Sequence, residues 1–236
     1  MSEVRIVALG SPGEVVEGAD LSDLVMAAAR AIDLVLADDD VLVVTSKVVS
    51  KSEGRVVAFD GSDEEKERLI AAESRRIIRR RGGLRITETR HGFVNANAGI
   101  DVSNARPGTA VLLPVDPDRS ARGLRARLRE RHGVSPAVVI TDTFGRAWRH
   151  GVADVAIGVA GLRAVLDLRG QPDQNGRILE VTEIAVADEI AAAAHLVLPK
   201  AAGTPFAVVR GLDPSMFGPG SVADEIVRPP SGDLFR

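Results

Sequence analysis

The chain contains no cysteine. That absence excludes a disulfide framework, a thiolate metal site and a cysteine nucleophile together. No apolar run approaches the roughly 18 residues that a membrane span requires. The opening MSEVRIVALG runs straight into a strand-like segment, without a basic region followed by a long apolar stretch. The reading is therefore a cytoplasmic protein with no signal peptide and no membrane partner. Several phosphate and hydrolase signatures are also missing. There is no G-x-x-x-x-G-K followed by Ser or Thr, no G-x-G-x-x-G after a strand, no H-E-x-x-H and no G-x-S-x-G. A P-loop and a dinucleotide fingerprint are thereby excluded, and any phosphate chemistry must use another cradle. A formal net charge of −3 offers nothing to a nucleic acid. Lysine is scarce: of 30 basic residues only Lys47, Lys51, Lys66 and Lys200 are lysines.

What is present is an ordinary globular balance, 45% hydrophobic and 27% charged over 236 residues. That length suffices for one large domain or two small lobes around a real core. Short apolar runs at residues 4–9, 41–45, 56–59, 84–87, 93–94, 109–113, 138–141 and 206–209 read as strands. Asp20 or Ser22 can cap a helix whose apolar positions run at helical spacing to Val35, ended by Asp38, Asp39 and Asp40. Ser62 and Glu65 have capping-box spacing and open a charged helix expected to reach Arg81, stopped by Gly82 and Gly83. Residues 117–132 and 185–198 read as further helices. From residue 213 the composition turns to proline, glycine and charge, which reads as a loose tail or linker (213–236) after a main domain (1–212). Strands and helices mix without a strict βαβ rhythm, so the expected class is α+β with mixed sheets.

Four segments hold candidate chemistry. Thr45-Ser46-Lys47-Val48-Val49-Ser50-Lys51 follows a buried strand and is expected to be a strand-end loop. Where arginine is so freely used, two lysines there point to a wanted point charge for phosphate, or else to a solvated turn. Residues 95–104, NANAGIDVSN, combine small and polar groups, with Asp101 and Asn104 able to face one site. The same residues are typical of a plain turn. Asp142 and Thr143 stand at the end of an apolar strand and offer hard oxygen donors suited to magnesium or manganese. Arg146, Arg149, His150 and Trp148 follow at once. Last, Glu88, Arg90 and His91 could orient substrate, or, on the preferred reading, form a structural ion pair beside a satisfied histidine. The arginines at 75, 76, 79, 80 and 81 read as a solvated helix face, with an anion site or subunit contact as the alternative, and His132 and His195 as structural.

VTSKVVSKSEGRVV, GFVNANAGIDVSN, TDTFGRAWRHGVADVAIGVAGL and GRILEVTEIAVADEIAAAAHLVLPKAAGTPFAVVRGL occur in that order. Together they resemble the coenzyme F-420:L-glutamate ligase (gamma-glutamyl ligase) family, over residues 4–212. The resemblance implies a two-lobed α+β fold and an intertwined homodimer. It implies an enzyme that uses GTP and a divalent metal, with a monovalent cation as a further candidate, to add L-glutamate to the deazaflavin coenzyme precursor. By resemblance the metal ligands are Asp101, Asp142 and Thr143, and the GTP contacts are Ser46, Lys51 and Asn104. The family's Gly-x-Pro nucleotide loop falls on Pro12, Gly13, Glu14 and Val15, here with an extra glycine. Lys200 stands where archaeal-type members place a metal-binding glutamine. Arg146, Arg149 and Lys200 are candidates for substrate or phosphate, and no catalytic acid or base is assigned. The expected chemistry is acyl-phosphate activation of a carboxylate. A ligase for another carboxylate acceptor and a non-catalytic GTP-binding subunit are the alternatives.

Overall fold

Val41, Leu42, Val43 and Val44 have no accessible surface at all. A strand apolar on both faces belongs in the middle of a sheet covered on both sides. The computed structural model describes residues 3–11, 13–102, 106–199 and 203–233. Along the chain run β1 (Arg5–Leu9), α1 (Leu21–Arg30), β2 (Val41–Thr45), α2 (Ser46–Ser52), β3 (Val56–Ala58), α3 (Asp63–Glu73), β4 (Ser74–Arg81), β5 (Leu84–Thr89) and β6 (Val94–Ala96). There follow β7 (Thr109–Val111), α4 (Pro117–His132), β8 (Ala137–Gly145), β9 (Val152–Ala160), β10 (Leu166–Asp167), β11 (Glu183–Ile184), α5 (Val186–His195), β12 (Phe206–Arg210) and α6 (Val222–Glu225).

The chain is a mixed α+β protein. Its main sheet has the order β1-β12-β2-β8-β9, so β2 is indeed central. The pair β2–β8 is parallel, and the other neighbours in this sheet are antiparallel. Smaller sheets pair β3 with β7, β10 with β11, and β4 with β5 and β6. Helix α4 packs on β8 and β9 and carries α1 against it, while α5 packs on β9, β8, β12 and β1. Gly158 makes the α4 contact feasible. A Cβ there would lie 2.4 Å from the carbonyl carbon and oxygen of Pro117, the first residue of α4. Among the described residues no helix is long and apolar enough to cross a membrane.

Local chemistry explains most element ends. Asp20 caps α1 by accepting from the Ser22 amide, Ser62 caps α3 by accepting from the Glu65 amide, and Asp116 caps α4 by accepting from the Arg119 amide. Gly133, in the left-handed region, closes α4.

Several expectations need correcting. Helix α1 stops at Arg30, not near Val35. The chain turns through Asp33 at φ 54, and the Leu34 amide returns to the Ala29 carbonyl. Ile32 and Val35 are exposed, so their helical spacing reflects no buried face. Asp40 is no helix stop. It is fully buried and takes a two-pronged ion pair from Arg210 at 2.6 and 2.7 Å. The charged helix α3 ends at Glu73, and the arginine run lies on β4, not on a helix. Gly82 and Gly83 form the tight turn of a β4–β5 hairpin in which Arg81 faces Leu84. Cross-strand pairing decides this: Arg76 meets the buried Glu88 at 2.7 Å. Residues 46–52 form a helix rather than a loop. Beyond residue 213, where composition reads as a loose tail, the chain is docked. Val222 is fully buried, and Asp118 accepts from the Ser221 hydroxyl and the Val222 and Ala223 amides while also accepting from the Val159 amide on β9.

Candidate active site

The parallel register of β2 and β8 pairs Thr45 with Thr141. The next residues, Ser46 and Asp142, therefore emerge side by side at the carboxyl ends of both strands, where open sheets commonly leave a crevice. The Ser46 hydroxyl donates to Asp142 Oδ1 at 2.9 Å. On the other side of β8, the antiparallel register sets Thr143 opposite Asp154 of β9. Asp154 accepts from the Thr143 hydroxyl at 2.6 Å and from the buried Thr141 hydroxyl at 3.4 Å. Its Oδ1 also meets Nδ1 of His195, the last residue of α5, at 3.0 Å.

Asp101 arrives from a different direction. Asn97, Ala98 and Gly99 have successive φ values of 50, 56 and 71, a left-handed turn that a non-glycine residue adopts only under restraint. The restraints are visible. The Arg85 amide donates to Asn97 Oδ1, and the Ala98 amide donates to the Thr87 hydroxyl, each at 2.9 Å. Asp101 then bridges to Val111 through reciprocal backbone hydrogen bonds of 2.9 and 2.8 Å. Its carboxylate reaches Lys47 Nζ on α2 at 2.5 Å.

These groups line one cavity of about 480 Å³, together with Gly13, Glu14, Val15 and Lys51. A smaller cavity of about 180 Å³ adjoins it, sharing Glu14, Val15 and Lys51 and reaching Arg106, which pairs with Glu14 at 3.1 Å. The electrostatic focus is Asp142. It keeps some accessible surface toward the cavity, yet protein surrounds its carboxylate. Burial pushes its pKa up to about 7. The nearby carboxylates of Asp154 and Asp101 push in the same direction, against the Ser46 hydroxyl and the Thr143 amide.

Residues 11–211 match the family described as F420-0:Gamma-glutamyl ligase. The chain belongs to this family. The coenzyme F420:L-glutamate ligase of Methanopyrus kandleri is 43% identical over 237 residues, covering 93% of this chain and 92% of that relative. Those of Methanothermobacter thermautotrophicus and Archaeoglobus fulgidus are 40% and 41% identical, again over 93% of this chain and over 93% and 91% of their own lengths.

Of the positions singled out by family resemblance, Gly13, Glu14, Val15, Ser46, Lys51, Asp101, Asp142 and Thr143 come together on this one cavity. Pro12, Asn104 and Lys200 lie outside the described residues. Arg146 and Arg149 do not line the cavity. They are exposed, with Trp148, on the β8–β9 loop, where Arg146 donates to the His150 carbonyl. Glu88 pairs with Arg75 and Arg76 across the β4–β5 hairpin rather than with the Arg90 expected from sequence. His91 is only half satisfied: Nε2 bonds the Pro114 carbonyl at 2.8 Å and the ring stacks on Phe93, while the buried Nδ1 has no hydrogen-bond partner among the described residues. Lys47, read from sequence as one of two lysines placed for phosphate, lines the cavity, but Asp154 and His195 escaped the sequence reading as site residues. Asp154 lay in a segment with no expected strand, and His195 reads as structural until β9 brings Asp154 to it.

A divalent cation fits the donor set. A buried carboxylate flanked by two more carboxylates is a place where positive charge is wanted, and the carboxylate and hydroxyl oxygens of Asp142, Thr143 and Asp101 are hard donors. Among the described residues no three acidic or histidine side chains converge as a ready-made cage. Lys47 already engages Asp101.

Proposed function

We propose that this chain is a GTP-dependent ligase that joins the amine of L-glutamate to the lactyl carboxylate of the unglutamylated F420 precursor. The observation that carries the reading is the convergence, in a chain of this family, of Ser46, Lys51, Asp101, Asp142 and Thr143 on one cavity. Its size suits a small-molecule site. The relatives described above are named coenzyme F420:L-glutamate ligases, which supports the ligase reading.

A carboxylate resists attack by an amine because its charge and resonance make it a poor electrophile. Transfer of the GTP γ-phosphoryl group turns it into an acyl phosphate, from which phosphate leaves as the amide forms. Asp142, Thr143 and Asp101 would hold a manganese or magnesium ion, which supplies charge neutralisation on phosphate oxygens. Ser46 orients Asp142 through its hydroxyl, and Asp142 would hold a cation in its ionised form. Lys47 and Lys51 add positive charge to the cavity wall. The work of the protein is positioning and electrostatics, and no covalent enzyme intermediate is needed. We extend the proposal to a two-lobed homodimer, as family resemblance implies, to be checked by sedimentation.

The deciding experiment supplies the precursor, L-glutamate, GTP and manganese to the purified chain and follows product mass. A metal-dependent glutamyl adduct with matching GDP release is expected. Binding of GTP without an adduct for any carboxylate acceptor would refute the ligase reading.

A further inference from the structure

His195 stands at the end of α5 with about a quarter of its side chain accessible, and it lines the cavity that holds Asp142 and Thr143. Asp154, 6% accessible, faces its Nδ1 at 3.0 Å. A carboxylate only accepts, so at this separation Asp154 favours the ring form that carries its proton on Nδ1. In the neutral ring this leaves the lone pair on Nε2. Asp154 is itself held on one oxygen by the Thr143 hydroxyl and on the other by the Thr141 hydroxyl. The imidazole is thus oriented by a buried carboxylate that two threonines fix in place, the arrangement expected of a base oriented by a third group.

Several other charged groups of the cavity are engaged with neighbours, and Lys51 is a cation that serves phosphate in the reading above. Lys47 pairs with Asp101, Glu14 pairs with Arg106, and Asp142 takes the Ser46 hydroxyl. Among the described lining residues His195 is the only histidine. An amide-forming ligase has one proton problem that phosphate chemistry does not solve: an amino acid arrives as an ammonium ion, which has no lone pair for attack.

We propose that His195, oriented by Asp154, is the general base that unmasks the incoming amine. The inference rests on the ligase reading above. Nε2 takes one proton from the α-ammonium group. The freed nitrogen lone pair forms the C–N bond at the acyl carbon, and the bond from that carbon to the phosphate oxygen breaks with its electron pair leaving on phosphate. A second nitrogen-bound proton departs with the phosphate, and the imidazolium returns its proton to solvent. His195 is then a catalytic residue and Asp154 a positioning residue.

The test compares two amines on the wild-type chain and on His195→Gln, with the precursor, GTP and manganese present throughout. L-Glutamate needs deprotonation. Hydroxylamine is already largely unprotonated at neutral pH and needs no base to form a hydroxamate. His195→Gln is expected to lose about 10²-fold or more in glutamyl product, the usual scale of general base catalysis, and to keep hydroxamate formation near the wild-type rate. Asp154→Asn should lose more in glutamyl product than in hydroxamate. Equal loss with both amines would make His195 structural and overturn the proposal, as would an unchanged glutamate rate. If His195→Gln fails to fold by circular dichroism, His195→Asn carries the comparison. Failure of the wild type with both amines would instead refute the ligase reading, a result separable from failure of this inference.

Discussion

Replacing Asp142 by asparagine should stabilise the cation-free protein at alkaline pH while removing its turnover. The folded-state pKa of Asp142 is raised from 3.8 to about 7, first by burial and then by Asp154 and Asp101. The folded protein therefore holds a proton on Asp142 at pH values where the unfolded chain has lost it. Stability contributed by this group is greatest below the unfolded pKa and declines as pH rises, until it is lost above the folded pKa. At about 1.4 kcal/mol per unit, the shift amounts to about 4 kcal/mol. Asparagine keeps an acceptor for the Ser46 hydroxyl and has nothing to ionise, so the variant escapes this penalty. The assay is urea unfolding of both proteins in chelator at about pH 4 and about pH 8, where other titrating groups cancel between them. The stability gap should move in favour of the variant by about 4 kcal/mol across that range. Manganese at the higher pH should restore the wild type and do little for the variant. A gap that stays constant with pH would refute the electrostatic account of this site.

Two further substitutions probe the frame that holds the cavity. Gly158→Ala places a methyl group 2.4 Å from the Pro117 carbonyl, and neither backbone can yield. A loss of about 1–3 kcal/mol is expected from thermal or urea unfolding, as in other overpacked cores. Asp118→Ala leaves the Val159, Val222 and Ala223 amides and the Ser221 hydroxyl without their acceptor. With unsatisfied buried donors costing about 1–3 kcal/mol each, the segment after residue 213 should detach, read as new protease cleavage there while α4 and the main sheet stay protected.

What could be read without coordinates was local. Residues 41–44 are apolar throughout, and with Thr45 they form the central strand with the bounds read from sequence. Asp20 and Ser62 act at helix starts because a cap depends on the residues beside it. The residues carrying phosphate and metal chemistry by resemblance could be named because each sits in a short contiguous motif. The arginine run could not be placed, since nothing within residues 74–81 distinguishes a solvated helix from a strand whose charge is satisfied by Glu88 across a hairpin. Asp154 and His195 stayed illegible for the same reason at longer range. Their meeting depends on the register of β9 against β8 and on where α5 lands, which are set by packing between distant segments. The sequence by itself determined the composition of the core, the caps and the family to which the chain belongs. Only the tertiary structure decided which acids share a cavity, which histidine faces them and how far burial raises the pKa of Asp142, because these depend on distances through space that no local pattern records.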